Sequence, residues 1–406
     1  MHTLPATVSE LAAWLRLSLA PGLKPAALRL LLTTFGLPET IFAQSHEALA
    51  DIAGEAAARA ALAPTGPEFD AQLEAVVNWC DQPGNQVVML DDPAYPPALL
   101  TMPDPPPMLY IKGRLELLHE KAIAIVGSRS ATPQGVEDAE RFGRELAAAG
   151  VAVVSGLALG IDGAAHRGGL SGVGSTVAVI GTGADLVYPA AHHALAWQIA
   201  VQGAILSEWP LGTPARAANF PQRNRLIAGL VSGVVIVEAA MRSGSLITAR
   251  LANEMGRDIF ALPGSIHAPL SRGCHRMIKQ GAKLVETPDE VLEELGFARR
   301  AAKHTGSAAA RAAERGDKLD GRTEVGPATC IGRPAESEPA CGAASAPDPQ
   351  AERLLAALGH SPTTLENLAA RTEMEDTALQ TTLLRLELDG LVSALPGGRF
   401  MRASRG

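Results

Sequence analysis

The sequence predicts an α/β protein: an extended Rossmann-like, doubly wound and mostly parallel sheet, with an N-terminal helical domain and a C-terminal winged helix. Three observations predict it. From Ala122 to Pro263, short β-branched runs apolar at nearly every position alternate with helix-length segments, as strands buried on both faces of a parallel sheet do. Before them, residues 9–82 space their apolar side chains three and four apart. After them, three helix-like segments and a hairpin pattern follow a long polar stretch. The expected divisions are 1–85 (helical, SAM-like or helix-hairpin-helix-like), 86–297 (Rossmann-like), 298–348 (disordered linker) and 349–406 (winged helix).

In the first division Leu11, Leu15 and Leu19, then Leu28, Leu31, Leu32 and Phe35, mark two helix faces. The turn between them, Pro21-Gly22-Leu23-Lys24-Pro25, has the form of a helix-hairpin-helix, whose amides can grip a phosphate. In so acidic a domain it reads instead as a packing unit. Six strands are expected next: Ala122–Gly127, Val151–Gly156, Thr176–Gly181, Ala204–Glu208, Val234–Glu238 and Ile259–Pro263. Pro107–Gly113 adds an edge strand before them and Asp289–Leu295 a closing helix after them. Between Arg299 and Pro349 the large aliphatic residues are only Leu319, Val325 and Ile331, too few to offset the entropy of ordering that segment. Gln350–Leu358, Thr363–Arg371 and Thr377–Asp389 then read as helices. Leu391–Leu395 and Arg399–Arg402, joined by Pro396-Gly397-Gly398, read as a hairpin.

Composition narrows the class. With 406 residues, of which 47% are hydrophobic, the chain can bury a core without crosslinks. Cys80, Cys274, Cys330 and Cys341 form no Cys-x-x-Cys pair, so neither a disulfide scaffold nor a zinc site is expected. Glu10 interrupts the N-terminus without a basic start, unlike a signal peptide, and no apolar run of about 18 residues could span a bilayer. The expectation is a cytoplasmic protein with no membrane partner. The net charge of -8 would argue against nucleic acid, but the whole excess lies in residues 1–109, with 12 acidic and 4 basic side chains. Residues 213–283 hold ten basic side chains against Glu238, Glu254 and Asp258.

Ligands of a doubly wound sheet bind outside the carboxyl ends of the strands. There the first strand ends in Gly127-Ser128-Arg129-Ser130, the second in Ser155-Gly156-Leu157-Ala158-Leu159-Gly160-Ile161-Asp162 and the third in Gly181-Thr182-Gly183. The fifth leads to Arg242-Ser243-Gly244-Ser245. Glycine lets the main chain approach an anion, Ser and Thr donate to it, and a helix N-terminus supplies unpaired amides. Any one such loop is an ordinary tight turn; several at one sheet edge describe a phosphate-binding groove. No Gly-x-Gly-x-x-Gly opens the first helix and no Gly-Lys pair exists, so neither a dinucleotide cofactor nor a P-loop is expected. A helix starting near Pro221 would place Arg223, Asn224 and Arg225 in its first turn, aimed at the groove, unless the two arginines form surface ion pairs. Phe220 is either a stacking platform for a base or a core anchor. His166, His192 and His193 lack metal-ligand spacing, Asp162 reads as a carboxylate satisfying amides, and Ser128 and Ser245 lack a His–acid pair. No catalytic residue and no metal are therefore expected. In the winged helix, Glu375, Asp376, Glu387 and Asp389 outnumber Arg385 on the third helix, which would repel a duplex.

These loops resemble those of the DNA-processing protein A family (DprA, also called Smf). The likeness runs from about Tyr95 to Leu295, through Ile125-Val126-Gly127-Ser128-Arg129, the Ser155–Asp162 loop, Gly181-Thr182-Gly183 with Tyr188-Pro189, Phe220-Pro221-Gln222-Arg223-Asn224-Arg225 and Arg242-Ser243-Gly244-Ser245. The resemblance implies single-stranded DNA binding without catalysis, and loading of the RecA recombinase onto incoming DNA during natural transformation. By position it implies a DNA groove of Arg129, the glycine-rich loops, Phe220, Arg223, Arg225 and Ser243–Ser245. It also implies a homodimer through His275, Ile278 and Leu284. The Ala-rich linker departs from shorter members. A competing expectation is a nucleotide phosphoribohydrolase of the lysine-decarboxylase-like family, for which Pro263-Gly264-Ser265-Ile266-His267 is the nearest counterpart of the required Pro-Gly-Gly-x-Gly-Thr run.

Overall fold

The computed structural model describes residues 7–297, 349–358, 363–395 and 399–403. The linker expected at 298–348 and the hairpin turn Pro396-Gly397-Gly398 lie outside the described residues.

Six helices come first: α1 (Val8–Ser18), α2 (Pro25–Phe35), α3 (Pro38–Phe42), α4 (His46–Ala53), α5 (Glu55–Ala61) and α6 (Phe69–Cys80). A capping box starts α1, in which the Thr7 hydroxyl accepts from the Glu10 amide at 3.2 Å and the Glu10 carboxylate accepts from the Thr7 amide at 2.8 Å. Leu17, Leu31, Ile41 and Leu49 form one core among these helices. A second joins Trp14, Leu15 and Trp79 to Met89, Met108 and Tyr110 of the first two strands, which docks the helices on the antiparallel edge of the sheet.

The sheet contains nine strands: β1 (Asn85–Met89), β2 (Met108–Gly113), β3 (Ala122–Val126), β4 (Ala152–Ser155), β5 (Thr176–Val179), β6 (Ala204–Ser207), β7 (Gly233–Ile236), β8 (Asp258–Ala261) and β9 (Lys283–Leu284). Their order is β1-β2-β6-β5-β4-β3-β7-β8-β9, antiparallel only at β1–β2 and β2–β6. The sequence does not predict β1 or β9. Asn85–Met89 has no clear alternation, and Lys283–Leu284 is two exposed residues held by pairing with Phe260 and Ala261. β3 lies between β4 and β7, with Ala124 opposite Val154 on one side and Val234 on the other. The chain runs outward from β3 through β6, then crosses back to β7. That reversal opens a crevice at the carboxyl ends of β3 and β7.

Both faces of the sheet are covered. Ala124, Val126, Val234 and Ile236 pack against α11 (Asn219–Leu230), α12 (Ser245–Glu254) and α13 (Arg272–Lys279), with a short α7 (Pro97–Leu100) beside them. Ile123, Ile125 and Val235 pack against α8 (Pro133–Ala148), α9 (Ile161–Leu170) and α14 (Pro288–Glu294). On that same side α10 (His193–Gln202) covers Ala178 and Ile205. Because both faces are buried, the strands read as unbroken apolar runs.

The C-terminal unit comprises α15 (Pro349–Ala357), α16 (Leu365–Thr372) and α17 (Asp376–Leu388) over a three-stranded sheet. That sheet adds β10 (Thr363–Thr364) to the expected hairpin of β11 (Val392–Leu395) and β12 (Arg399–Arg402). Leu354, Leu368, Leu379, Leu383 and Val392 fill its core. Arg371 reaches across to α8: its Nε and Nη2 each lie 2.6 Å from a Glu137 carboxylate oxygen, and Nη2 donates to Gln134 at 3.1 Å. Among the described residues, no helix is long and apolar enough to cross a membrane.

Candidate nucleic-acid interface

The crevice at the switch point holds a cavity of about 760 Å³. Three stretches wall it: Val126–Arg129 at the end of β3, Phe220–Asn224 on α11, and Arg242–Thr248 at the start of α12, with Tyr188, Ala158 and Asp162 among the other lining residues.

The β3 loop is set by close backbone contacts. Gly160 adopts φ +74 and brings the start of α9 against it, so that Ile161 N donates to Ser128 O at 3.1 Å. A Cβ on Gly160 would collide with that Ser128 carbonyl, which is why the position takes glycine. The Ser128 hydroxyl accepts from Ser130 N at 3.1 Å. Thr132 caps α8 and donates to Glu238 Oε1 at 2.6 Å, which ties the β3 loop to the end of β7. Held in this way, Arg129 projects into solvent at the lip.

The β4 loop is supported from beneath by buried polar groups. Asp162 Oδ2 accepts from Gly156 N at 3.1 Å and Ala158 N at 3.3 Å. His166 Nε2 accepts from Leu157 N at 3.2 Å, and its Nδ1 side meets Thr176 Oγ1 at 2.7 Å, which in turn donates to Val153 O. Burial, with help from nearby cations, pushes the His166 pKa down to about 3, so the ring is neutral and acts as a brace. Arg223 lies under the same loop, 4% exposed, with Nη1 donating to Gly156 O and Val179 O. Burial lowers its pKa to about 10 against the pull of Asp162, and burial raises Asp162 against the pull of Arg223. An arginine keeps its proton under these conditions, so Arg223 stays a buried cation held by the two carbonyls.

Above this layer the groove is aromatic and cationic. The Arg129 guanidinium lies 5.5 Å from the centroid of the Phe220 ring, within reach of a cation–π contact. The Tyr188 ring, 48% exposed, leans on Phe220 at 5.5 Å and 43°. On the opposite wall Ser243 and Ser245 share a hydroxyl bond of 2.6 Å at the α12 N-terminus. Arg242 is exposed there and, among the described residues, has no hydrogen bond or ion pair. The site thus offers two uncommitted guanidiniums, exposed loop backbone and an aromatic pair. Its carboxylate, Asp162, is already engaged with amides. No group of three His, Cys, Asp or Glu side chains among the described residues could hold a metal ion.

Several expected site residues are placed differently. α11 begins at Asn219, two residues before Pro221, because the Asn219 side chain is drawn inward to donate to Gly181 O at 2.9 Å. Arg223 and Arg225 therefore fall in its second turn rather than its first. Arg225 turns away from the groove to pair with Glu208 and with Asp104, at 3.3 Å from the latter carboxylate. Ser155 is fully buried and donates to Ile125 O at 2.6 Å, so it cannot meet a ligand. Gly156 is covered by Arg223, and Gly181, Thr182 and Gly183 are buried: a Cβ on Gly181 would press on the Phe220 ring, the Thr182 hydroxyl donates to Leu186 O at 3.0 Å, and Gly183 lies against the Pro210–Gly212 turn. These glycines permit close packing and do not line the cavity. Asn224 lines it with its amide 3.4 Å from Gly244 O. Near the far sheet edge, His275 Nε2 meets Gly264 O at 3.1 Å, Ile278 is partly covered by the core, and Leu284 is 49% exposed. Tyr188 is the groove residue the sequence reasoning left out of the site, although the Tyr188-Pro189 pair that carries it is visible there.

Two family profiles match the chain: "DNA recombination-mediator protein A" over residues 86–296 and "DprA winged helix domain" over residues 338–398. Protein Smf of Escherichia coli (strain K12) is 40% identical over 334 residues, spanning 82% of this chain and 81% of that protein. Protein Smf of Synechocystis sp. is 35% identical over 401 residues, spanning 97% and 99%. The X-ray structure of DNA processing protein A from Streptococcus pneumoniae superposes with a TM-score of 0.60 at 37% identity, over 72% of this chain and 99% of that one. The phosphoribohydrolase expectation is not favoured: Pro263-Gly264-Ser265-Ile266-His267 departs from the run such an enzyme needs, and both profiles point elsewhere.

Proposed function

The chain belongs to the DNA recombination-mediator protein A family, and from that premise we propose that it binds single-stranded DNA in the switch-point groove and loads the RecA recombinase onto that strand during natural transformation, without catalysis, in the cytoplasm and as a homodimer. The observation that carries the reading is the Arg129–Phe220–Tyr188 stack facing the Arg242–Ser245 loop across one cavity. Phosphates fit the guanidiniums and the backbone of the loops, and unpaired bases fit the aromatic faces. Stacking accepts any base and needs it splayed out, which favours a single strand with little sequence preference over a duplex. The non-catalytic reading is supported by the placement of the groove hydroxyls and of His166. Among the described residues, no His–carboxylate pair is hydrogen-bonded to Ser128, Ser243 or Ser245, and the buried His166 is committed to Leu157 and Thr176. The homodimer contact is assigned to His275, Ile278 and Leu284 at the open β9 edge, where Leu284 is the most exposed apolar side chain of the three.

The test is a comparison of single- and double-stranded oligonucleotides by gel shift, with and without RecA, for the full chain and for Arg129→Ala with Phe220→Ala. The expected result is preferential single-strand binding, lost in the double variant, and faster RecA filament growth on coated strands. Single-strand binding that persists unchanged in the variant removes this groove from the function. Steady release of a base from a nucleoside monophosphate would overturn the non-catalytic reading.

A further inference from the structure

The groove accounts for only part of the basic charge between residues 213 and 283. Beside it, between α12, β8 and α13, opens a second cavity of about 450 Å³. Arg242, Ser243 and Ile247 line both, so the two cavities meet over the first turn of α12. The walls of the second carry Arg242, Arg250, Arg257, Arg276 and Lys283 against a single carboxylate, Asp258. That carboxylate is taken by Lys283, at 2.9 Å, and Lys283 is paired again with Glu294. Arg257 is held by Thr101 Oγ1 at 3.1 Å and Gly229 O at 3.3 Å, while its buried Nε has no partner. Arg250 and Arg276 are exposed and, among the described residues, make no hydrogen bond or ion pair.

Guanidiniums gathered on one cavity without counter-charges repel one another and raise the local potential, and an anion relieves both. The exposed apolar side chains Met241 and Ile247, 45% and 42% accessible, stand on the same wall. Cations interleaved with accessible apolar surface suit a phosphodiester chain carrying bases better than they suit a free anion. We infer that this cavity holds the backbone of the same single strand beyond the groove, so that the strand runs from the β3–β7 crevice across the first turn of α12 to Arg250 and Arg276. The inference rests on the proposed single-strand reading and extends its footprint. An acidic protein surface is the competing occupant; the shared lining of the two cavities favours the strand.

The experiment titrates oligothymidylates of about 4 to about 16 nucleotides against the full chain, Arg129→Ala, and Arg250→Ala with Arg276→Ala, at several salt concentrations. Sedimentation records the mass of each protein. The double variant is expected to bind the shortest strand as the parent does. With the longest, its log–log salt slope flattens by roughly 1.4, two single-strand phosphates at about 0.7 each. Arg250→Ala alone, which leaves α13 intact, flattens the slope by about half as much and separates lost phosphate contacts from any change in assembly. An unchanged slope at every length, or an equal loss at every length, overturns the extended path. An altered mass with unchanged DNA binding also overturns it and assigns the cavity to a protein interface. If Arg129→Ala changes nothing while the double variant weakens the long strands, the groove reading fails and the second cavity stands.

Discussion

Replacing Arg223 with alanine separates the two uses this fold makes of a cation beside the groove. The guanidinium is 4% exposed, its Nη1 joins Gly156 O to Val179 O, and Asp162 faces it in the same dry layer. Its removal leaves two buried carbonyl groups without donors, at about 1–3 kcal/mol each. It also withdraws the positive charge that offsets Asp162. The two carbonyls alone set a loss of about 2–6 kcal/mol. At roughly 2–4 °C per kcal/mol for a domain of this size, the melting temperature falls by on the order of 10 °C. Arg129→Ala is the matched control: that side chain is exposed, with a cation–π contact to Phe220 at 5.5 Å. Stability should stay within about 0.5 kcal/mol, while the salt slope of single-strand binding flattens by roughly 0.7. Circular-dichroism melts and oligonucleotide titrations on both variants make the comparison. If Arg223→Ala melts like the parent and flattens the slope by 0.7, Arg223 is a phosphate hand and the bracing argument fails.

Three further outcomes follow, two from the same layer and one from the sheet edge. His166, with a pKa depressed to about 3 in the folded state, binds its proton only after unfolding; the stability it contributes is present above pH 6.5 and is lost as pH falls from there toward 3, at about 1.4 kcal/mol per unit. Denaturant titrations between pH 7 and pH 4 should show this loss, and His166→Gln, which keeps an acceptor for Leu157, should be less pH-dependent in that window. Gly160→Ala places a side chain at φ +74 against the Ser128 carbonyl, at a strain of about 1–3 kcal/mol; single-strand affinity should fall by more than an equally destabilising core substitution lowers it. Leu284→Glu, on the exposed β9 edge, should halve the mass in sedimentation while leaving the melting temperature of the protomer nearly unchanged.

The parallel strands were legible in the sequence because burial on both faces leaves no polar interruption: Ala122–Val126 and Ala204–Ser207 are buried at every position. β1 was not legible, since Asn85–Met89 gains its place from pairing with β2 and from Trp79 behind it, both outside its own window. The crevice could be located because the glycine-rich loops mark strand ends. The division of labour within it could not. Arg223 and Arg225 sit two residues apart with the same chemistry, and once both lie inside α11 they point to opposite sides of it. With the Asn219 side chain bound to Gly181 O, α11 lies so that Arg223 passes beneath the β4 loop and Arg225 reaches Glu208.

The net charge of -8 hides the quantity that matters for binding, which is the number of cations without a protein partner. Arg223, Arg225, Arg257 and Lys283 are held by carbonyls, a hydroxyl or carboxylates, and they shape the sheet edge. Arg129, Arg242, Arg250 and Arg276 are exposed and make no ion pair among the described residues. Half of the acidic excess lies in the N-terminal helices, which the Trp14–Tyr110 core fixes on the β1–β2 edge, four strands from β3, and of the rest Asp104 is taken by Arg225. At physiological ionic strength charges are screened over about 8 Å, a distance shorter than the roughly 19 Å spanned by four strands at about 4.8 Å each. The groove therefore presents its own local potential to a strand, set by the free arginines and largely independent of the sign of the whole chain.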